Sequence, residues 1–393
     1  MCGLVAAACS GGAGSPAGSS GPEATASTTT TAPSGVPAST TPACTNATVL
    51  AGWTVQRRAS LLLVAPVLNY DMASVAAATS AGAGGILFLG PGTARAGLGT
   101  QLANAMASGP GPAPLAMADQ EGGGIERLTP PVGAMPWPRT MAATMTTAQV
   151  QSLASTVGAE MGSLGVKVDL APVADLDGRP GPSASNPDGQ RSFSTDPTTA
   201  SAYAVAFVKG MLAAGEVPVV KHFPGLGGSS GNTDYGPAQT EPLSVIESRA
   251  LQPFRAAIGS GAPAVMVSNA SVPGLTSLPA SLSSAVIGGL LRNDLGFSGL
   301  VLTDSLSAGA ISATGYDLPR AAAAAVEAGA DMVLFGSTLT PAQTAELSPA
   351  SVAGNLKAMS SAIASAVAAG ELPVSRLDGA DSHVLTAGHV SLC

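Results

Sequence analysis

Aromatic side chains are scarce in this chain, at 3% of 393 residues, and charged ones make up only 10%. A core must therefore come mainly from Ala, Val and Leu, and the 46% hydrophobic content is enough to build a large one. Basic residues are also few, 16 against 24 acidic, giving a net charge of -8. That balance argues against a nucleic-acid partner, which calls for a basic face. No apolar run approaches the ~18 residues of a membrane-spanning helix. Only three histidines and four cysteines are present, and neither type clusters, so no metal-ligand set is visible. Gly225-Leu226-Gly227-Gly228 lacks the spacing of a dinucleotide-binding loop. No cofactor is expected.

The ends of the chain are compositionally distinct. Leu4-Val5-Ala6-Ala7-Ala8-Cys9 is similar to the end of a bacterial lipoprotein signal, in which the cysteine is lipidated. A basic segment ahead of it is missing. Residues 10–43 are nearly all Ser, Thr, Gly, Pro and Ala, a composition that cannot offset its ordering entropy by burial and so reads as a tether. The expected plan is a signal remnant at 1–9, a tether at 10–43 and a single folded domain at 44–393. Such a protein would be exported and held at the outer face of the cell membrane by a lipid on Cys9. Cys44 and Cys393 flank the folded part, and in an exported protein they are expected to pair. Two free thiols are the alternative.

From about residue 45 short apolar runs alternate with Ala-rich amphipathic stretches. The runs are Leu61–Val67, Gly85–Leu89, Pro114–Ala118, Val166–Ala171, Val217–Val220, Ala264–Val267, Leu300–Leu302 and Met332–Phe335. Continuous Val/Leu-rich runs suit parallel strands buried on both faces. Helical segments such as Thr147–Leu164, Ala200–Ala214 and Leu318–Ala328 fall between them. Eight such signals in α/β alternation predict a (β/α)8 barrel as a single catalytic domain, with a doubly wound open sheet as the alternative.

Polar residues follow the runs. The third is followed by Asp119-Gln120-Glu121-Gly122-Gly123 and then Arg127, and the fourth leads to Asp175, Asp177 and Arg191. The fifth leads to Lys221-His222, the sixth to Ser268-Asn269 and the seventh to Asp304. At the C-terminal end of a β/α barrel these would form one ring of carboxylates, cations and an imidazole. Acids and donors so arranged suit a carbohydrate site.

Five ordered segments carry a specific resemblance. They are Asp119-Gln120-Glu121-Gly122-Gly123, Asp169-Leu170-Ala171-Pro172-Val173, Arg191-Ser192-Phe193, Lys221-His222-Phe223-Pro224-Gly225, and Gly296-Phe297-Ser298-Gly299-Leu300-Val301-Leu302-Thr303-Asp304. Over roughly residues 55–340 the chain resembles glycoside hydrolase family 3. Within that family it is most similar to single-domain β-N-acetylhexosaminidases, including an actinobacterial lipoprotein branch. The resemblance implies that Asp304 is the nucleophile of a retaining reaction. It implies that Asp119, Arg127, Arg191, Lys221 and His222 hold the sugar hydroxyls, with Glu121 and Asp169 bracing the barrel mouth. It also implies an exo-acting enzyme that removes N-acetylglucosamine from peptidoglycan fragments. The partner would be a muropeptide or disaccharide, and a monomer is expected.

One departure stands out. The family commonly carries Asp-Ser-His in the loop after the Lys-His-Phe-Pro segment, with the His as general acid/base. Here the loop reads Asn232-Thr233-Asp234, and position 226 is Leu. Asp234 is the carboxylate available to replace the imidazole, on a Gly/Ser-rich loop, 227–231, that is expected to be mobile and to close over bound sugar. His383 and His389 are expected to lie outside the site. A sugar-binding lipoprotein without turnover, and a family 3 glycosidase of other specificity such as a β-glucosidase, remain open at this point.

Overall fold

A computed structural model describes residues 44–91 and 96–393. Cys9 and the segments 1–9 and 10–43 lie outside the described residues.

Eight parallel strands form the central sheet. They are β1 (Leu63–Leu68), β2 (Gly85–Leu89), β3 (Leu115–Ala118), β4 (Val168–Asp169), β5 (Val217–Phe223), β6 (Ala264–Val267), β7 (Leu300–Thr303) and β8 (Val333–Leu334). Their order is β8-β1-β2-β3-β4-β5-β6-β7. A parallel bridge between Leu302 and Met332 joins β7 back to β8 and closes the ring. Hydrogen bonds from Met332 N to Val301 O and from Thr303 N to Met332 O, both 3.0 Å, complete the closure. The sheet is thus a closed (β/α)8 barrel, not an open doubly wound sheet. Long helices precede or follow the strands, among them Thr147–Leu164, Pro197–Ala213 and Leu318–Ala328.

Local sequence accounts for these elements. The residues of β2, β3, β5, β6 and β7 are all buried, which explains apolar runs in place of alternation. Thr146 and Gln149 form a reciprocal capping box at the start of one helix, and Gly165 ends it in a left-handed conformation. Asp196, Asp317 and Ser348 cap three other helices, each with Pro at the first or second helical position. All seven phenylalanines are buried. The scarce aromatic area is thus spent in the core, among Ala, Val and Leu.

The largest departures from the expected strand limits are at β5 and β4. β5 continues through Lys221 and His222 to Phe223, so the pair sits on the strand itself and not on the loop after it. β4 shrinks from the expected 166–171 to Val168–Asp169, although hydrogen bonds to its neighbours continue at Lys167 and Leu170.

The end of the barrel away from the strand C-termini is pinned by charge. Asp331 is fully buried and accepts from Arg292 (2.7 Å), Arg376 (2.6 Å) and His383 (2.9 Å). Arg58 binds Asp378 and Asp381, both at 2.6 Å. These contacts fasten the last helix, Val374–Ala387, to the barrel. The termini of the folded part meet, because Asn46 donates to Val390 O and accepts from Leu392 N, each at 2.8 Å. Cys44 and Cys393 form a disulfide with their Cα atoms 5.9 Å apart.

A bridge across 349 residues removes much chain entropy from the unfolded state, about 6 kcal/mol on the loop-closure account. The double variant Cys44→Ser/Cys393→Ser should therefore unfold at lower denaturant than the oxidised parent. Identical midpoints would show that the bridge adds no stability.

Candidate active site

The site is assembled by the strand ends. β3 hands the chain to Asp119, after which an antiparallel hairpin pairs Gln120 with Glu126. The turn needs glycine: Gly123 has φ 62°, and a Cβ there would lie 2.1 Å from the Trp137 ring. The hairpin returns Arg127 to Asp119, whose carbonyl accepts from Arg127 N at 2.9 Å. β4 contributes Asp169, whose carboxylate accepts from Gln120 N at 3.0 Å. β5 contributes Lys221 and His222, and Asp304 follows β7 directly.

Lys221 and Glu121 are both nearly inaccessible to solvent, at 2% and 1% exposure. Lys221 Nζ lies 2.6 Å from Asp119 Oδ1 and 2.6 Å from Glu121 Oε1. Arg191 grips both oxygens of Glu121 at 2.8 Å, a bidentate fork. Burial alone would raise the Glu121 carboxyl, but the charges and hydrogen bonds of Arg191 and Lys221 outweigh it and hold it well below its usual range. Burial would likewise lower the Lys221 ammonium, yet Asp119 and Glu121 raise it. Glu121, Lys221 and Arg191 are therefore charged at neutral pH.

His222 sits beside this network in a fixed state. Arg191 Nη2 lies 3.3 Å from His222 Nε2, and a guanidinium can only donate, so Nε2 must accept. The ring proton is then on Nδ1, donated to Asp175 Oδ2 at 2.7 Å. Asp175 also accepts from His222 N (3.0 Å) and Leu226 N (2.6 Å). Burial, followed by the Arg191 charge, holds the imidazole down at about 4, so it is neutral. Asp188 lies 4.0 Å from His222 Nδ1 and from Arg191 Nη1, fully buried, with neither carboxyl oxygen hydrogen-bonded. Burial and the Asp175 charge push it up to about 8. Asp175, Asp188 and His222 are the set among the described residues with the spacing to hold a metal ion.

A cavity of about 410 Å³ opens above these groups. Asp119, Arg127, Arg191, Lys221, His222, Asp234 and Asp304 all line it. The structure therefore brings together every candidate catalytic and sugar-binding residue named from the sequence. Asp304 is held by its backbone, with its N donating to Val267 O at 2.9 Å, while its Oδ1 accepts from Ser305 N at 2.7 Å. His383 pairs with Asp331 in the cluster beneath the barrel, and neither it nor His389 lines the cavity.

The loop carrying Asp234 differs from the loose segment expected. Gly227 packs so closely on Leu176 that a Cβ would come within 2.2 Å of its carbonyl. Ser229 and Thr233 are buried. Arg179 donates to Ser229 O at 2.9 Å, and Asn232 to Ser183 O at 3.1 Å. The carbonyls of Thr233 and Asp234 accept from Ala310 N (2.9 Å) and Gly309 N (3.0 Å). These contacts hold Asp234 over the cavity. Burial, and then the Asp304 charge, push its carboxyl up to about 7, with Arg191 pulling the other way.

Sequence reasoning noted Asp175 only as an acid after a strand and did not weigh Asp188 at all. Asp188 lies in the Gly/Pro/Ser-rich stretch 178–190, where no periodicity marks a buried position. Tyr235 and the Ser337-Thr338-Leu339 turn also line the cavity and went unnoticed.

Comparison with known proteins bears on this geometry. Residues 60–387 match the Glycosyl hydrolase family 3 N terminal domain. A curated relative, "Beta-hexosaminidase LpqI" of Mycobacterium tuberculosis, is 37% identical over 275 residues, 68% of this chain. The aligned region spans 66% of that relative, just under two thirds of its length. The solved structure described as "M tuberculosis LpqI" superposes with a TM-score of 0.76 at 36% identity, covering 87% of this chain and 95% of that one. A β-N-acetylhexosaminidase from Beutenbergia cavernae gives a TM-score of 0.75 at 31% identity, over 86% and 99%.

Removing one member of a buried ion network leaves its partners uncompensated, at a cost of about 3–5 kcal/mol. Glu121→Ala should show a loss of this size in urea unfolding. A loss below about 1 kcal/mol, the worth of an exposed pair, would mean that water replaces the carboxylate.

Proposed function

Because the chain belongs to glycosyl hydrolase family 3, we propose that it is an exo-acting, retaining β-N-acetylglucosaminidase. The reading is carried by one observation. Among the carboxyl groups that line the cavity, the one without hydrogen-bonded support, Asp234, has its pKa raised to about 7 by burial and the Asp304 charge. A carboxyl group whose surroundings raise its pKa is what an acid/base role requires. Relatives described as β-hexosaminidases support the choice of sugar.

In the proposed first step the Asp304 carboxylate attacks the anomeric carbon. The glycosidic C–O bond breaks as the protonated Asp234 gives its proton to the departing oxygen. A covalent glycosyl-enzyme results, and Asp234 is left as a carboxylate. In the second step Asp234 takes a proton from water, whose oxygen attacks the anomeric carbon and frees Asp304. Asp119, Lys221, Arg191 and His222 supply fixed partners for the sugar hydroxyls, which need not reorganise as charge develops. The neutral His222, its Nε2 lone pair taken by Arg191, presents a fixed ring edge to the sugar, and the cations offer donors.

The substrate class proposed is a peptidoglycan fragment ending in N-acetylglucosamine. A lipid-anchored, exported location through Cys9 belongs to the same proposal. The Cys44–Cys393 disulfide is in keeping with an oxidising compartment.

Release of 4-nitrophenol from its N-acetyl-β-glucosaminide tests the reading directly. Asp304→Ala should lower kcat by about 10⁴-fold or more while the protein stays folded. Parent enzyme that gives no release above a blank would overturn the assignment.

Asp234 makes a separate prediction. As an acid it works in its protonated form, which predominates below about pH 7. For substrates with poor leaving groups, kcat/KM should therefore fall as pH rises through about 7. Asp234→Ala should remove that limb and slow these substrates by about 10²–10⁴-fold. Activated aryl glycosides should lose far less and regain turnover with azide. Equal losses on both classes, without rescue, would restrict Asp234 to shaping the loop.

A further inference from the structure

The loop that carries Asp234 is fastened to the segment that carries Asp304. Gly309 N donates to Asp234 O at 3.0 Å, and Ala310 N to Thr233 O at 2.9 Å. The approach leaves no room for a side chain at 309, where a Cβ would lie 2.7 Å from Tyr235 C and 2.8 Å from Gly236 N. Nearer Asp304 the segment is pinned to the strand ends. Asn269 Nδ2 donates to Ser305 O at 2.7 Å, Ser305 Oγ to Gly336 O at 2.9 Å, and Leu306 N to Leu334 O at 2.8 Å.

A third piece locks the two together. Gln343 sits in a short helix, Pro341–Ala345, that follows β8. Its Oε1 accepts from Thr340 N at 3.1 Å, which settles the orientation of the amide. Nε2 then reaches Asp234 O at 3.4 Å and Ser307 O at 3.3 Å. An amide nitrogen carries two hydrogens, and here each has one of the two segments as its acceptor. Behind the loop lies a second cleft of about 410 Å³. Asp234 and Tyr235 line both clefts, so the loop is a wall with open space on either side. Such a wall has little packed bulk behind it, and its position depends on these few bonds.

We propose that Gln343 and Gly309 are positioning residues: they clasp the Asp234 loop to the Asp304 segment and so set the separation of the two carboxyl groups. Both line the second cleft only in part or from its far wall, and neither lines the cavity that would hold the sugar. They act through Asp234. The inference rests on the acid/base reading above and adds what keeps the acid at its working distance from the nucleophile.

The surroundings of Asp234 supply the readout. Asp304, Asp119 and Arg191 act on it from the cavity side, the two carboxylates raising its pKa and the guanidinium lowering it. Asp317, Glu346 and the phenols of Tyr235 and Tyr316 line the cleft behind, with Arg320 stacked on the Tyr316 ring. Burial is the largest cause of the rise to about 7. A loosened loop admits water, so the carboxyl should fall back toward its ordinary value.

Gln343→Leu and Gly309→Ala, set beside Thr340→Ala, test the clasp. Thr340→Ala removes the hydroxyl that caps the same helix but keeps the backbone donor that orients the Gln343 amide. In both clasp variants kcat on substrates with poor leaving groups should fall about ten- to hundredfold, the scale of a small misplacement of a catalytic group. KM should change little, and activated aryl glycosides should lose less. The alkaline limb of kcat/KM should move to lower pH by about one pH unit as burial is lost. Thr340→Ala should keep the limb of the parent. A limb that stays in place in Gln343→Leu, or moves as far in Thr340→Ala, would overturn the proposal.

A titration arm separates this inference from the catalytic one. The carboxyl NMR signal of Asp234, assigned with Asp234→Asn, follows the group without turnover. Its midpoint should drop in Gln343→Leu and Gly309→Ala and hold in Thr340→Ala. If Asp234→Ala slows both substrate classes equally, the acid/base reading fails, yet the midpoint still decides whether the clasp holds the carboxyl. An unchanged midpoint in Gln343→Leu would reject it.

Discussion

A buried carboxylate shared by two buried cations organises everything above the barrel. Glu121 meets Lys221 at 2.6 Å and Arg191 through both its oxygens. Each partner comes from a different part of the chain: the hairpin after β3, the end of β5, and the long loop after β4. Unpaired, any of the three would carry a heavy desolvation penalty, so each requires the other two in place. The network therefore fixes the relative positions of three barrel segments. It also leaves Asp119 and the neutral His222 facing the cavity. Fixed charges are what a site needs if it is to stabilise a transition state without first rearranging.

The remaining carboxyl groups divide by environment. Asp304 and Asp234 face the cavity, and the charge of the first raises the pKa of the second. Asp175 and Asp188 lie beneath it. Asp175 is pushed up to about 7 by burial despite two backbone donors, and Asp188 higher still. Their role is carried through His222, whose tautomer Asp175 settles from below and Arg191 from the side. The Asp188 carboxyl oxygens accept no hydrogen bond and stand 4.0 Å from Arg191 Nη1 and His222 Nδ1.

Under the proposed function, the Asn232-Thr233-Asp234 loop would meet the lack of a histidine by electrostatics. An imidazole brings a suitable pKa with it. An aspartate must acquire one, and here burial and a neighbouring carboxylate supply the shift. That mechanism demands a well-placed side chain, because a solvated carboxyl would revert to its ordinary value. The hydrogen bonds that anchor Thr233 and Asp234 to residues 309 and 310 meet this demand. They also make the loop a wall between two clefts.

The barrel was legible in the amino-acid sequence because parallel strands buried on both faces leave unmistakable apolar runs. β2 and β6 begin and end where those runs do. The polar residues that follow the runs gave the ring of site residues, since strand order alone places strand ends together. Strand limits at Lys221 and His222 were missed because charged residues look like the end of a strand, and only the Glu121 and Asp175 partners make them buried ones. The held state of the Asp234 loop was missed for a related reason. Gly and Ser signal flexibility locally, while the packing of Gly227 on Leu176 and the backbone bonds to Gly309 and Ala310 are made by residues distant in sequence. The sequence by itself thus determined the barrel and which side chains gather at its mouth, because both follow from local hydrophobicity and strand order. Tertiary structure alone decided their protonation, their partners and the second cleft, because a charge is set by what surrounds it and those surroundings come from across the chain.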